Sequence, residues 1–226
     1  MSAGIRWSAA DPCRAFRSRA ADRSSLGPRR AATAALLVIL LTGGAPGLAA
    51  TLTGRLMIAG APSSDAVVAL RSLAPVRPPS SGAAAPHAVM DQRHLSFQPG
   101  VLPVLRGTIV EFTNSDDVEH NVFSPSAIAD AFDLGTYSHG QSRNVKLDQV
   151  GEVHVLCNIH MEMEAHILVL DEPYFAVTDA KGVYAIRDVP AGEYELSVWS
   201  NGWLPKTEAV TLPATGETHL DVAAPH

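Results

Sequence analysis

Apolar residues in this chain recur at every second position in short runs, and no helical stripe interrupts them. Thr108-Ile-Val-Glu-Phe-Thr-Asn114 sets Val110 and Phe112 on one face and Glu111 on the other. Asn144–Leu147 alternates again, with Val145 and Leu147 on the apolar side. Glu152-Val-His-Val-Leu-Cys157 puts Val153, Val155 and Cys157 on one face and His154 on the opposite one, and Ala165–Leu170 reads as its partner strand. Val89–Phe97 is strand-like and stops at Pro99-Gly100. Upstream, Thr51–Ile58 and Ala66–Leu70 predict two strands about a turn at Gly60–Asp65. Downstream, Val183–Ile186, Tyr194–Trp199, Glu208–Leu212 and Thr218–Val222 alternate with turns at Asp179–Gly182, Pro190–Gly192 and Asn201-Gly202. Short strands with frequent turns predict an all-β fold class built as a sandwich.

Two stretches stand outside this pattern. Residues 1–50 carry seven arginines, then the apolar run Ala31–Leu41, then small residues, which is the layout of a secretory signal peptide. Cleavage after Ala49 or Ala50 would leave about 176 residues with no stable membrane insertion, because a span needs ~20 unbroken apolar residues. Residues 72–87, rich in Pro, Ser and Ala, read as a linker. The whole chain has 17 basic and 23 acidic side chains, net −6; without the seven arginines and two aspartates of the leader, 10 and 21 remain, net −11. An exported, periplasmic-type chain this acidic is a poor partner for nucleic acid and is suited to a basic protein surface. Asp116, Asp117 and Glu119 form the acidic cluster that such a partner would meet.

Charge leaves the chemistry open; the sulfur residues narrow it. Cys13 departs with the leader, so Cys157 has no intrachain disulfide partner and must be buried or bound in an oxidising compartment. Behind it come His160 and Met163 at three-residue steps. Thiolate, imidazole and thioether together form the soft donor set of copper sites with two His, one Cys and a weak axial Met. A second histidine must come from a neighbouring strand, and His120, beyond the strand Thr108–Asn114, offers it. Met163 is preferred to Met161, which adjoins His160 and points away from the same centre. Asn121 is placed to support the ligand loop. His87, His94, His139, His154, His166, His219 and His226 read as surface or satisfied histidines. A Cys157–His160 nucleophile and base is the enzymatic alternative, but no glycine-rich oxyanion loop accompanies it and Met163 would have no role, so the chain is read as no enzyme. Zinc suits the thioether less than copper does.

The motif His120-Asn121-Val122 with Cys157-x-x-His160-x-x-Met163 resembles the cupredoxins, and its short ligand loop is most similar to that of amicyanin. Met90–Pro99, Phe112–Asp117, Cys157–His160 and Pro173–Ala176 resemble plastocyanin-like proteins associated with methylamine utilisation. The resemblance spans roughly Ala88 to Trp199 and implies a Greek-key β-sandwich over 88–171 with one type 1 copper on His120, Cys157, His160 and Met163. It implies an exported single-electron carrier whose redox partner is a cytochrome c or a periplasmic dehydrogenase. A copper store, or a copperless binding module on the same sandwich, is the alternative. Thr51–Leu70, Thr178–Ile186 and Val189–Leu196 resemble a carboxypeptidase-regulatory or transthyretin-like sandwich. The expected organisation is therefore one second, smaller sandwich made of 51–71 and 172–226, with the copper domain inserted.

Overall fold

The computed structural model describes residues 49–74, 84–125, 131–202 and 207–224. The expected leader up to residue 48 and residues 75–83 of the expected linker lie outside the described residues. In chain order the strands are β1 (Ala49–Ile58), β2 (Ala61–Pro62), β3 (Val67–Ser72), β4 (His87–Gln92), β5 (Phe97–Gln98) and β6 (Val101–Leu105). Then follow β7 (Thr108–Asn114), β8 (His120–Ser124), β9 (Phe132–Tyr137), β10 (Ser142–Leu147), β11 (Gly151–Leu156) and β12 (Glu164–Leu170). The last six are β13 (Phe175–Val177), β14 (Val183–Pro190), β15 (Gly192–Trp199), β16 (Glu208–Leu212), β17 (Gly216–His219) and β18 (Val222–Ala224). Among the described residues there is no helix, and none therefore long and apolar enough to cross a membrane.

Strands β4–β12 form two sheets, ordered β10-β7-β4-β5 and β6-β12-β11-β8-β9. Alternation in β7 and β11 sends Val110, Phe112, Val153 and Val155 inward, where they meet Met90, Val122, Leu147 and Ile167 in one core. Cys157 and Met163 belong to that same core. The remaining strands form a second pair of sheets. One centres on β1, flanked by antiparallel β14 and parallel β17 and β18; the other runs β13-β3-β15-β16. Leu52, Leu56, Val68, Leu70, Tyr184, Ile186, Leu196 and Val198 fill the space between them.

Leu168 lies on the outer face of β12 and is fully buried against Val67 and Trp199, at the adjoining ends of β3 and β15. Trp199 Nε1 donates to Glu152 (3.0 Å), and His166 Nδ1 lies 2.8 Å from the other oxygen of that carboxylate. An apolar contact with one charged rim thus joins the two sandwiches.

Four stretches differ from the sequence reading. Strand β1 starts at Ala49, which pairs with Pro190, and Ala50 is buried; the alternation of Thr51–Ile58 simply continues into two small residues assigned to the leader. The run Val89–Phe97 is not one strand, because His94 and Leu95 take positive φ (57° and 55°) and reverse the chain between β4 and β5. Strands β6 and β9 were not expected, and both lie at sheet edges.

Candidate metal centre

The loop after β7 is organised by Asn114. Its Nδ2 donates to the carbonyls of Val118 (2.9 Å) and Tyr137 (3.1 Å), and its Oδ1 accepts the Asp116 N–H (2.9 Å). This short turn delivers His120, fully buried, as the first residue of β8. The second ligand segment follows β11, whose inward face ends in Cys157, a free and buried thiol. The Cys157 N–H donates to the Met163 carbonyl (3.2 Å) and the Met163 N–H to the His160 carbonyl (3.0 Å), so the loop 157–163 closes on itself.

These two segments bring His120, Cys157 and His160 together, with one ligand atom from each lying within 4.8 Å of the others. The Nδ1 atoms of His120 and His160 are 3.1 Å apart, and the rings meet edge to face with centroids 4.8 Å apart. With metal–nitrogen bonds of about 2.0–2.1 Å, nitrogens at that spacing subtend an angle of about 100° at a shared ion. Two imidazole nitrogens and a thiol on a largely buried, hydrogen-bonded frame fit a soft or borderline ion such as copper. Met163 is 1% exposed in the cluster that holds Cys157, while Met161 is 85% exposed and faces solvent. Tyr137 pairs with His120 across β8 and β9, and burial pushes its phenol above the ordinary range. Its hydroxyl donates to the Phe112 carbonyl (3.2 Å) and accepts from Gln92 Nε2.

Asp116 has a role the sequence reading missed. Its Oδ2 lies 2.9 Å from His120 Nε2, and its two oxygens accept the N–H groups of His94 (2.6 Å) and Leu95 (2.9 Å). Burial pushes the Asp116 carboxyl up, but the hydrogen bonds from Leu95, His120 and His94 outweigh it and hold the group below its usual value. Grouping Asp116 with Asp117 and Glu119 as an outward docking cluster is therefore corrected: its carboxylate turns inward, and the other two remain exposed. No local signal marks this, since both backbone donors lie more than twenty residues upstream. Asn121 also differs from expectation, because its Nδ2 is bound to Asp133 of β9 (2.8 Å) rather than to a ligand. Among the other histidines, His154 and His166 stack in parallel and face Glu164 and Glu152, away from the centre.

Residues 84–170 match the family model of copper binding proteins of the plastocyanin/azurin family, and residues 163–225 match the carboxypeptidase regulatory-like domain. No curated protein matches the chain. Among solved structures, a copper-containing nitrite reductase from Thermus scotoductus is 29% identical over 43% of this chain (TM-score 0.36), and the match spans only 26% of that enzyme's length. A purple cupredoxin from Nitrosopumilus maritimus is 20% identical over 37% of this chain and 99% of its own (TM-score 0.34). An amicyanin variant in its Cu(I) form is 19% identical over 37% of this chain and 82% of its own (TM-score 0.35). The two matched regions divide between the two sandwiches: residues 84–170, which span β4–β12, are similar to copper binding proteins of the plastocyanin/azurin family, and residues 163–225, which include β13–β18, are similar to the carboxypeptidase regulatory-like domain.

Proposed function

We propose that this chain is an exported, periplasmic type 1 copper protein that holds one copper ion and carries single electrons between redox proteins. The observation that carries the reading is the gathering of His120, Cys157 and His160, one ligand atom from each within 4.8 Å of the others and the two Nδ1 atoms 3.1 Å apart. Copper bound there would supply a one-electron couple, with Met163 as the weak axial donor. The protein's part is to keep the donors in place. His120 is fixed from β8, Cys157 from the end of β11 and Met163 from the start of β12, so little can rearrange when the charge at the centre changes. That rigidity favours electron transfer over release of copper as cargo. His160 is only partly buried and offers the route to a partner, a cytochrome c or a periplasmic dehydrogenase. In this reading the chain is a carrier and not an enzyme.

The test is to add Cu(II) to the purified apoprotein and record its visible spectrum. One equivalent should produce an intense thiolate-to-copper band that reductant bleaches, and voltammetry should give a reversible couple. Cys157→Ser should abolish the band, because a hydroxyl is harder and far less readily ionised than a thiol. A full-strength band in that variant overturns the site, and a band without reversible electron exchange overturns the carrier role in favour of storage.

A further inference from the structure

The turn between β4 and β5 is built from residues that suit it poorly. His94 and Leu95 stand consecutively at φ 57° and 55°, in a hairpin closed by hydrogen bonds between Arg93 and Ser96 (2.9 and 3.2 Å). Two-residue hairpins of this hand favour Asn-Gly or similar pairs, since a Cβ is crowded at positive φ. Leu95 gains little packing in return, for it is 52% exposed. Strained backbone of this kind points to a local task. Successive backbone N–H groups in such a turn form a concavity that holds an anion. Here the anion is the Asp116 carboxylate, which accepts both N–H groups and meets His120 Nε2 with Oδ2.

We propose that the His94–Leu95 turn and Asp116 form a positioning device for His120, holding the proton on Nε2 and turning the Nδ1 lone pair toward His160 and Cys157. Its electronic consequence rests on the copper reading, whereas its geometric part concerns the chain alone. An ionised acceptor makes a stronger hydrogen bond than a neutral carbonyl and raises the donor strength of the ring it binds. A negative charge behind His120 favours the more highly charged copper state. Asp116 is thus a positioning residue, and the turn exists to hold it.

Nitrogen-15 NMR of the histidine rings in the full-length apoprotein reads the geometric part. His120 should carry its proton on Nε2 in a strong hydrogen bond. Asp116→Asn keeps the shape and removes the charge. It should tilt the copper affinity ratio toward Cu(I) by about tenfold, which for one electron is a rise of about 59 mV. The proposal is overturned if wild-type His120 carries its proton on Nδ1. It is equally overturned if Asp116→Asn lowers thermal stability alone and leaves tautomer and potential unchanged. Should that variant fail to fold, the wild-type tautomer decides. The expected tautomer in a chain that binds no copper would sink the copper reading and leave the positioning device standing.

Discussion

Met161 and Met163 are two residues apart and live in opposite environments, one facing water and the other sealed in the core with Cys157. Met163→Leu should therefore raise the reduction potential of the copper-loaded protein while copper stays bound, because the proposed axial donor is lost. The swap nearly conserves volume, so the thermal melt should show a loss below about 1.5 kcal/mol. Met161→Leu should change neither; the reverse pattern in voltammetry would reassign the ligand. At this scale the sequence was legible where the chemistry is local. Cys157 and His160, which the fold gathers with His120, stand out by their spacing, and His120 by its place beyond an alternating strand. Asp116 was misread because what defines it is a turn formed by a different strand. With Asp116 turned inward, Asp117 and Glu119 carry the outward charge beside His120. If the proposed redox partner is basic, association should slow steeply as salt shortens the Debye length to about 8 Å, and Asp117→Asn with Glu119→Gln should flatten that slope in stopped-flow traces. A rate independent of salt would move the docking surface to the exposed apolar side chains of Ile159 and Met161.

Strands with clean alternation, such as β7 and β11, were readable because each buries one face and wets the other. Strand β6 was not, since Pro103 argues against a strand; at the sheet edge, beside β12 only, it is tolerated. Strand β9 is also an edge, with Gly135 at positive φ and just one fully buried side chain, so its pattern carries little signal. Strand β1 shows the opposite case, in which a single residue type reports close packing. A Cβ at Gly54 would fall on the carbonyl of Leu220 and within 2.8 Å of the Tyr184 hydroxyl, itself bonded to that carbonyl (2.6 Å). Gly54→Ala should destabilise the β1–β14 sheet by about 1–3 kcal/mol, as overpacking does. Calorimetry should show that loss while the copper band stays unchanged, because none of the three ligands gathered at the centre lies in these strands. An unaltered melting curve would mean that the segment after β17 yields freely.

At the scale of the whole molecule, the β4–β12 sandwich, the proposed copper domain, leaves and rejoins the second sandwich at one point. Strands β3 and β13 pair antiparallel, with Ala69 opposite Phe175, and the Ser72 N–H donates to the Glu172 carboxylate (2.9 and 3.0 Å) across 100 residues of chain. We therefore propose that the second sandwich is a discontinuous domain, built from the segments either side of the copper domain. The family match over 163–225 contains neither β1 nor β3, yet β1 is the strand on which β14, β17 and β18 all assemble. A fragment of residues 172–226 lacks that strand, and at ~55 residues it has little core to spare. It should be poorly folded, with weak amide protection and no cooperative melt. Joining 49–74 directly to 171–226 through a short linker should restore a cooperative, copper-free domain, since the two ends already touch. The join uncovers Val67 and Trp199, which pack on Leu168 in the full chain, so the joined domain should melt below the intact protein. Glu152→Gln in the intact protein should reproduce a small part of that loss by weakening the acceptor for Trp199 Nε1. If the joined chain stays unfolded while the full chain melts in one step, the copper domain is a structural support of the second sandwich and not an insertion into a self-sufficient fold.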